Sequence, residues 1–151
     1  MINFKKGPAL SLHQVNYIGA AKTGEAVVAG MVVQINGSGQ VVKASITDTA
    51  NDKDVILGFA INNQTAGDVI ESGKIGVYAL DGASVVETDQ AVETISANTY
   101  PIGTLLTATA GKVDKVGTSF SGKLIGQVEG VRVIPRGSEP SVTVLGVKLF
   151  S

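Results

Sequence analysis

Apolar residues along this chain recur in short runs and alternating pairs separated by glycine-rich turns. Near the N-terminus, Ile2 and Phe4 alternate with Asn3 and Lys5, and after Gly7-Pro8 the pairs Leu10/Leu12 and Val15/Tyr17 alternate again. A period of two is the strand signal. The break at Gly7-Pro8 makes the first six residues a separable extended arm.

From Lys22 the pattern changes. "AVVAGMVVQI" and "QVVKASI" flank Asn36-Gly37-Ser38-Gly39, which predicts a β-hairpin, because Asn and Gly both tolerate positive φ. "TDTANDKD" reads as a polar loop, and "VILGFAI" as a short strand of the kind buried on both faces. "GDVIESGKIGVYAL" supplies a turn at Ser72-Gly73 and a strand containing Val77 and Ala79. One segment carries a helical signal, "SVVETDQAVETISANTYPIG". It has Ala91, Val92 and Ile95 as the apolar positions, Thr88 or Asp89 as a cap and Pro101 as a stop.

The second half echoes the first. "GTLLTATAGKVDKVG" follows the plan of "GMVVQINGSGQVVKAS", "KLIGQVEG" echoes "VILGFAIN", and "VTVLGVKL" echoes "GKIGVYAL". Two readings compete. Either the chain holds pseudo-repeats over residues 25–80 and 100–151, or frequent Gly and Val produce the echoes by composition alone. In both, 151 residues suffice for one domain that buries roughly 68–70% of its unfolded surface. The expected architecture is mainly β: a β-barrel or sandwich over residues 25–151, preceded by an arm and first strand over 1–24, with at most one or two short helices.

Composition then narrows the function classes. With no cysteine, disulfides, thiolate metal sites and Cys nucleophiles are excluded, and the compartment stays open. Twelve Lys plus Arg against 13 Asp plus Glu gives no broad attraction for phosphate backbones or anionic membranes. The longest apolar stretch, Ala26 to Val33, is far shorter than the roughly 20 residues of a membrane-spanning helix. Lys5 and Lys6 followed by Ala9, Leu10 and Leu12 imitate a signal peptide, but His13, Gln14 and Asn16 break the apolar core such a segment needs. The N-terminus is therefore expected to remain in the mature protein.

The candidate chemical motifs each lack a required part. In "GTSFSGK" the residues Gly117, Gly122 and Lys123 imitate a phosphate-binding loop, yet Leu124 stands where Ser or Thr would reach Mg2+, and the following residues have strand character. Gly37 and Gly39 open a dinucleotide fingerprint that Val42 breaks. Asp48, Asp52 and Asp54 suggest a Ca2+ loop, but Lys53 and Phe59 occupy the positions that require Gly and a bidentate Glu. His13 is the sole histidine, so a His cluster is impossible, and no serine lies in a Gly-x-Ser-x-Gly elbow. Glu71, Asp81, Glu87, Asp89 and Glu93 remain as carboxylates that tertiary structure would have to bring together. Glycan platforms are poorly supplied, with three Tyr, four Phe and no Trp. Asn36 and Asn63 head glycosylation sequons, read here as turn residues. No catalytic residue, cofactor or metal site is assigned, and an enzyme is not expected.

Taken in order, "AGMVVQINGSGQVVKAS", "DVILGFAINN" and "IESGKIGVYAL" resemble the capsid decoration, or cement, proteins of tailed bacteriophages, the lambda-type head decoration proteins and their β-tulip relatives. The match covers about residues 25–80, with the weaker second copy extending it to 151. The chain is longer than the smallest members of that group, which leaves stoichiometry and symmetry open. The resemblance implies a β-tulip-like barrel or sandwich, made in the bacterial cytoplasm and carried on the outer capsid surface of a virion. Its partners would be the major capsid protein and further copies of itself, a trimer by preference, with no role for nucleic acid or membrane. It also implies an arm that adds a strand to the capsid protein. Here that arm is "MINFKK", with Ile2 and Phe4 as anchors and Lys5 and Lys6 facing acidic shell surface. The alternative is an adhesive or host-recognition β module on a phage head or tail fibre.

Overall fold

The computed structural model describes residues 2–6, 17–45, 55–64, 73–117, 119–120 and 122–150. They form eleven strands and, among the described residues, no helix. The strands are β1 (Ile2–Lys6), β2 (Tyr17–Ala20), β3 (Val32–Ile35), β4 (Val41–Lys43), β5 (Val55–Ala60) and β6 (Lys74–Ala79), then β7 (Val85–Thr88), β8 (Leu105–Thr109), β9 (Lys112–Lys115), β10 (Gly126–Arg136) and β11 (Glu139–Leu149). Two antiparallel sheets result, one of six strands in the order β1-β7-β11-β10-β8-β9 and one of five in the order β2-β6-β5-β3-β4. Neither closes into a barrel, so the fold is a mainly-β sandwich.

With β1 set aside, the two sheets have the same plan. β2-β6-β5-β3-β4 and β7-β11-β10-β8-β9 correspond strand for strand, and every pairing in both is antiparallel. The correspondence extends to single hydrogen bonds. Gly30 N donates to Ala60 O and Gly103 N to Val128 O, both at 2.8 Å. Ala60 N donates to Met31 O at 2.8 Å, and Val128 N to Thr104 O at 2.9 Å. Leu80 N reaches Leu57 O, and Phe150 N reaches Ile125 O, both at 3.0 Å. In each sheet a residue just beyond the first strand makes a lone parallel bridge to the last strand, Ala21 to Val41 and Ala91 to Val113. The sheet therefore curls without becoming a continuous cylinder.

Side-chain alternation divides the core. Val33, Val41, Ala60, Ile75 and Val77 pack with Val27 and Met31 in a smaller cluster inside the five-stranded sheet. Their neighbours Val32 and Phe59 point the other way, into a larger cluster with Val86, Tyr100, Leu106, Ile125, Val128, Leu145 and Val147. Strands β3 and β5 are thus apolar on both faces because each face meets a different core. The turn of the β8–β9 hairpin locks the sheets together: Val32 N donates to Gly111 O, and Gly111 N to Ala44 O, both at 2.8 Å.

Two local expectations are corrected. The hairpin at Asn36 forms, but Gly39 rather than Asn36 or Gly37 takes the positive φ, at 76°. Asn36 acts through its side chain, whose Oδ1 accepts the N–H groups of Ser38 and Gln40 at 3.0 and 2.9 Å. This Asx-type closure needs no left-handed Asn. The segment with a helical signal, residues 84–103, forms β7 followed by irregular chain. Val92 N donates to Val113 O, and Val113 N to Gln90 O, both at 3.0 Å, so the backbone around Ala91 bonds to a strand edge instead of to its own next turn. The β-branched pair Val85-Val86, buried on both sides, favours that outcome.

Candidate interaction surface

Of the carboxylates that sequence left available, the four among the described residues each have a partner of their own. Asp81 accepts the N–H groups of Ala83 and Ser84 at 2.9 and 2.7 Å, and the Ser84 hydroxyl as well. Burial pushes the Asp81 carboxyl up, but the Ser84 hydroxyl and the two N–H donors outweigh it and hold the group below its ordinary value. Glu87 is buried and receives a two-pronged contact from Arg132, with Nε at 2.8 Å and Nη2 at 2.6 Å. That hydrogen bonding, followed by the charge of Glu87, raises the Arg132 pKa further. Asp89 accepts from Gln90 Nε2 at 2.8 Å, and Glu93 pairs with Lys115 at 3.0 Å. Each acid is used where it stands. Glu71, His13, Asp48, Asp52 and Asp54 lie outside the described residues.

Other chemistry is similarly sparse among the described residues. No group of three or more His, Cys, Asp or Glu is placed to hold a metal ion. Downstream of "GTSFSGK", Thr107 Oγ1 donates to Lys123 O at 2.9 Å and Ile125 N to Leu106 O at 2.9 Å, so a strand rather than a helix follows the lysine. An open apolar depression is lined by Ala97, Tyr100, Pro101, Ile102, Gly130 and Val131, with no charged side chain in its wall. The Tyr100 hydroxyl beneath it accepts Glu93 N at 3.2 Å, and burial raises its pKa above that of a free phenol. Phe59 and Tyr100 are core residues, and neither offers a ring to solvent.

What the fold does display is sheet edge. Backbone N–H and C=O groups on an outer strand are an unpaired row that another chain can complete. The five-stranded sheet ends in β2 and β4, and the six-stranded one in β1 and β9. Strand β4 is met by the Ala21 bridge and β9 by the Ala91 bridge.

The predicted capsid-contact residues all fall on β1. Ile2 is opposite Thr88, Phe4 opposite Val86 and Lys6 opposite Val85, with the register shifting between Phe4 and Lys6 so that Lys5 sits at the irregularity. Ile2 is half-buried and packs against the larger core. The segment is therefore the outer strand of its sheet among the described residues, with one edge paired to β7. Gly7-Pro8, the expected hinge, lies outside the described residues.

Sequence reasoning did not single out Arg132 or β2. The first could not be found, since its partner Glu87 lies in a different strand, far away in sequence. The second falls within the first strand expected over residues 1–24 from the Val15/Tyr17 alternation, which was not read as a sheet edge.

Comparison with known proteins adds no constraint: no family model, curated protein or solved structure matches the chain.

Proposed function

We propose that this protein is a structural cement protein that binds the outer surface of an icosahedral phage capsid and bridges major capsid protein subunits, acting as a homo-oligomer. The observation that carries the reading is the position of β1. A short strand with apolar Ile2 and Phe4 and cationic Lys5 and Lys6 lies at a sheet edge, where its backbone can pair with a strand of the shell. The sandwich behind it supports such a role, because a small two-core scaffold presents edges in fixed relation to one another. Several modest contacts per oligomer would then act together through high effective concentration. The resemblance of residues 25–80 to decoration proteins points the same way.

The test is co-sedimentation with assembled shells from the same source. The wild-type chain is expected in the particle fraction and to leave it as an oligomer. Reversing both charges, Lys5→Glu with Lys6→Glu, should lower occupancy about tenfold at low salt, with the difference shrinking as ionic strength rises. Equal occupancy of the double variant and wild type would remove β1 from the contact. A wild-type chain that stays in the supernatant would dispose of the cement reading itself.

A further inference from the structure

One apolar face of the β10–β11 hairpin runs on past the end of the core. Leu145 of β11 is buried in the larger cluster, and Val131, opposite it on β10, packs against that cluster while half-buried. Side chains two apart on a strand share a face, so the next pair outward is Val133 opposite Thr143. There Val133 is 56% exposed. Beside this strip, the chain between β7 and β8 brings Ala97, Pro101 and Ile102 to Gly130 and Val131 around the open depression. Ile102, at 79%, is the most exposed of the large apolar side chains among the described residues.

Ile102 is displayed by a braced turn. On one side of it Thr104 N and Oγ1 both donate to Pro101 O, at 3.1 and 2.7 Å, and on the other Tyr100 N donates to Ser96 O at 2.9 Å. Gly103 N, the next donor along, is tied to Val128 O of β10 at 2.8 Å. An apolar side chain held in place before contact costs little to order on binding.

The make-up of the patch selects its occupant. A knob, Ile102, and a hollow lie side by side, and a two-fold axis between two such patches sets each knob against the other's hollow. The same hairpin ends in exposed Arg136 and Glu139, paired at 2.9 Å, one charge of each sign. A two-fold copy can set Arg136 against Glu139 in both directions, whereas a partner surface of one sign is repelled by one of the two. The chain's formal charge of −1 adds little repulsion between copies. A polar small molecule finds no anchor, because the wall has no charged side chain and the Tyr100 hydroxyl already accepts Glu93 N.

We infer that this face, Ile102 with Val131 and Val133, is where two copies of the chain pack about a two-fold axis. The inference rests on the homo-oligomer of the proposed function and gives that association a surface and a symmetry, a pair in place of the trimer that the resemblance implies. The face belongs to β10, three places from β1 in the sheet order, so pairing and shell contact use different strands.

The experiment is sedimentation velocity of the full chain without shells, from about 1 μM to 1 mM, the range suited to a small reversible interface. The wild type is expected to pass from one to two chains per particle as concentration rises. Ile102→Glu places a charge in the hollow twice per pair and should raise the dissociation constant by roughly thirtyfold or more. Val133→Glu is the second variant and should weaken the pair as well. Both side chains are exposed in the single chain, so both variants should melt as the wild type does at concentrations where it is unpaired. Ser38→Glu adds the same charge at the exposed β3–β4 turn of the other sheet and should leave the pair intact. A wild-type chain that stays single throughout would overturn the inference and leave the patch to another occupant. So would an assembly of three chains, a pair that neither Ile102→Glu nor Val133→Glu weakens, or one that Ser38→Glu weakens as much. Co-sedimentation of the wild type with shells reads the cement function separately, so failure of the pairing and failure of that function are distinct results.

Discussion

Gly58 and Gly126 occupy corresponding places in β5 and β10, and both lie against a carbonyl of the neighbouring strand. A Cβ on Gly58, where φ is 153°, would fall 1.7 Å from Tyr78 O, and one on Gly126 would fall 2.3 Å from Lys148 O. Neither obstacle is a flexible side chain, so the strand itself would have to move. Gly58→Ala is expected to cost about 3 kcal/mol or more and Gly126→Ala about 2–3 kcal/mol, whereas Gly37→Ala, with open space around it, should change stability by about 0.5 kcal/mol or less. Urea denaturation of the three variants checks the order. At Asp81 the effect depends on pH. Its folded pKa lies below the ordinary value, so the group adds stability above its unfolded pKa and loses that contribution as pH falls through the folded one. Asp81→Asn should therefore cost about 0.5–1 kcal/mol at neutral pH, after allowance for solvent screening, and converge with wild type in acid. A pair of pH-dependent melting curves that stay parallel down to acid would contradict this. Removing Arg132 leaves the buried carboxylate of Glu87 without its two-pronged partner, and Arg132→Ala is expected to lower the melting temperature more than Arg136→Ala, whose partner Glu139 is exposed.

Among the elements, the two hairpins that follow Gly30 and Gly103 show one role filled by different turn chemistry. The β3–β4 turn uses the Asn36 side chain and Gly39. The β8–β9 turn has only two residues, Ala110 with φ of 49° and Gly111 with φ of 81°. Both central angles are positive, as the strand twist requires of a two-residue loop. Ala110 is the one non-glycine described residue with positive φ. Ala110→Asn should stabilise the fold by about 0.5–1 kcal/mol, because Asn adopts that conformation at lower cost, and thermal denaturation measures it. A loss of stability would mean that the Ala110 methyl has a packing role that outweighs its backbone strain. The helical signal at residues 84–103 misled for a reason that also belongs to this scale. Spacing at Ala91, Val92 and Ile95 reports which residues are apolar, whereas the available hydrogen-bond partner at Val113 comes from a hairpin that sequence alone does not bring near.

For the whole molecule, the decisive feature is that the larger core takes side chains from both sheets. Phe59 of the five-stranded sheet packs with Leu106, Leu145 and Val147 of the other. Phe59→Ala should thus cost about 3–5 kcal/mol and leave a single cooperative transition, because neither sheet keeps that core without its partner. Two resolved transitions in calorimetry would contradict it. Much of this architecture was legible in the chain. The alternation at "VVQINGSGQVVK" and the buried run "VILGFAI" specify strands by period and length, and the glycines shared by the two halves fall at matching places in the two sheets. The reason is local: a two-residue period and the conformational demands of a turn are written in neighbouring residues. What tertiary structure alone decided is non-local. It placed residues 2–6 against β7, joined Glu87 to Arg132, gave Asp81, Asp89 and Glu93 partners of their own and left β2 as an uncharged outer strand among the described residues. Each of these depends on which strands become neighbours, and that is set by how two curled sheets share their cores rather than by any short stretch of sequence.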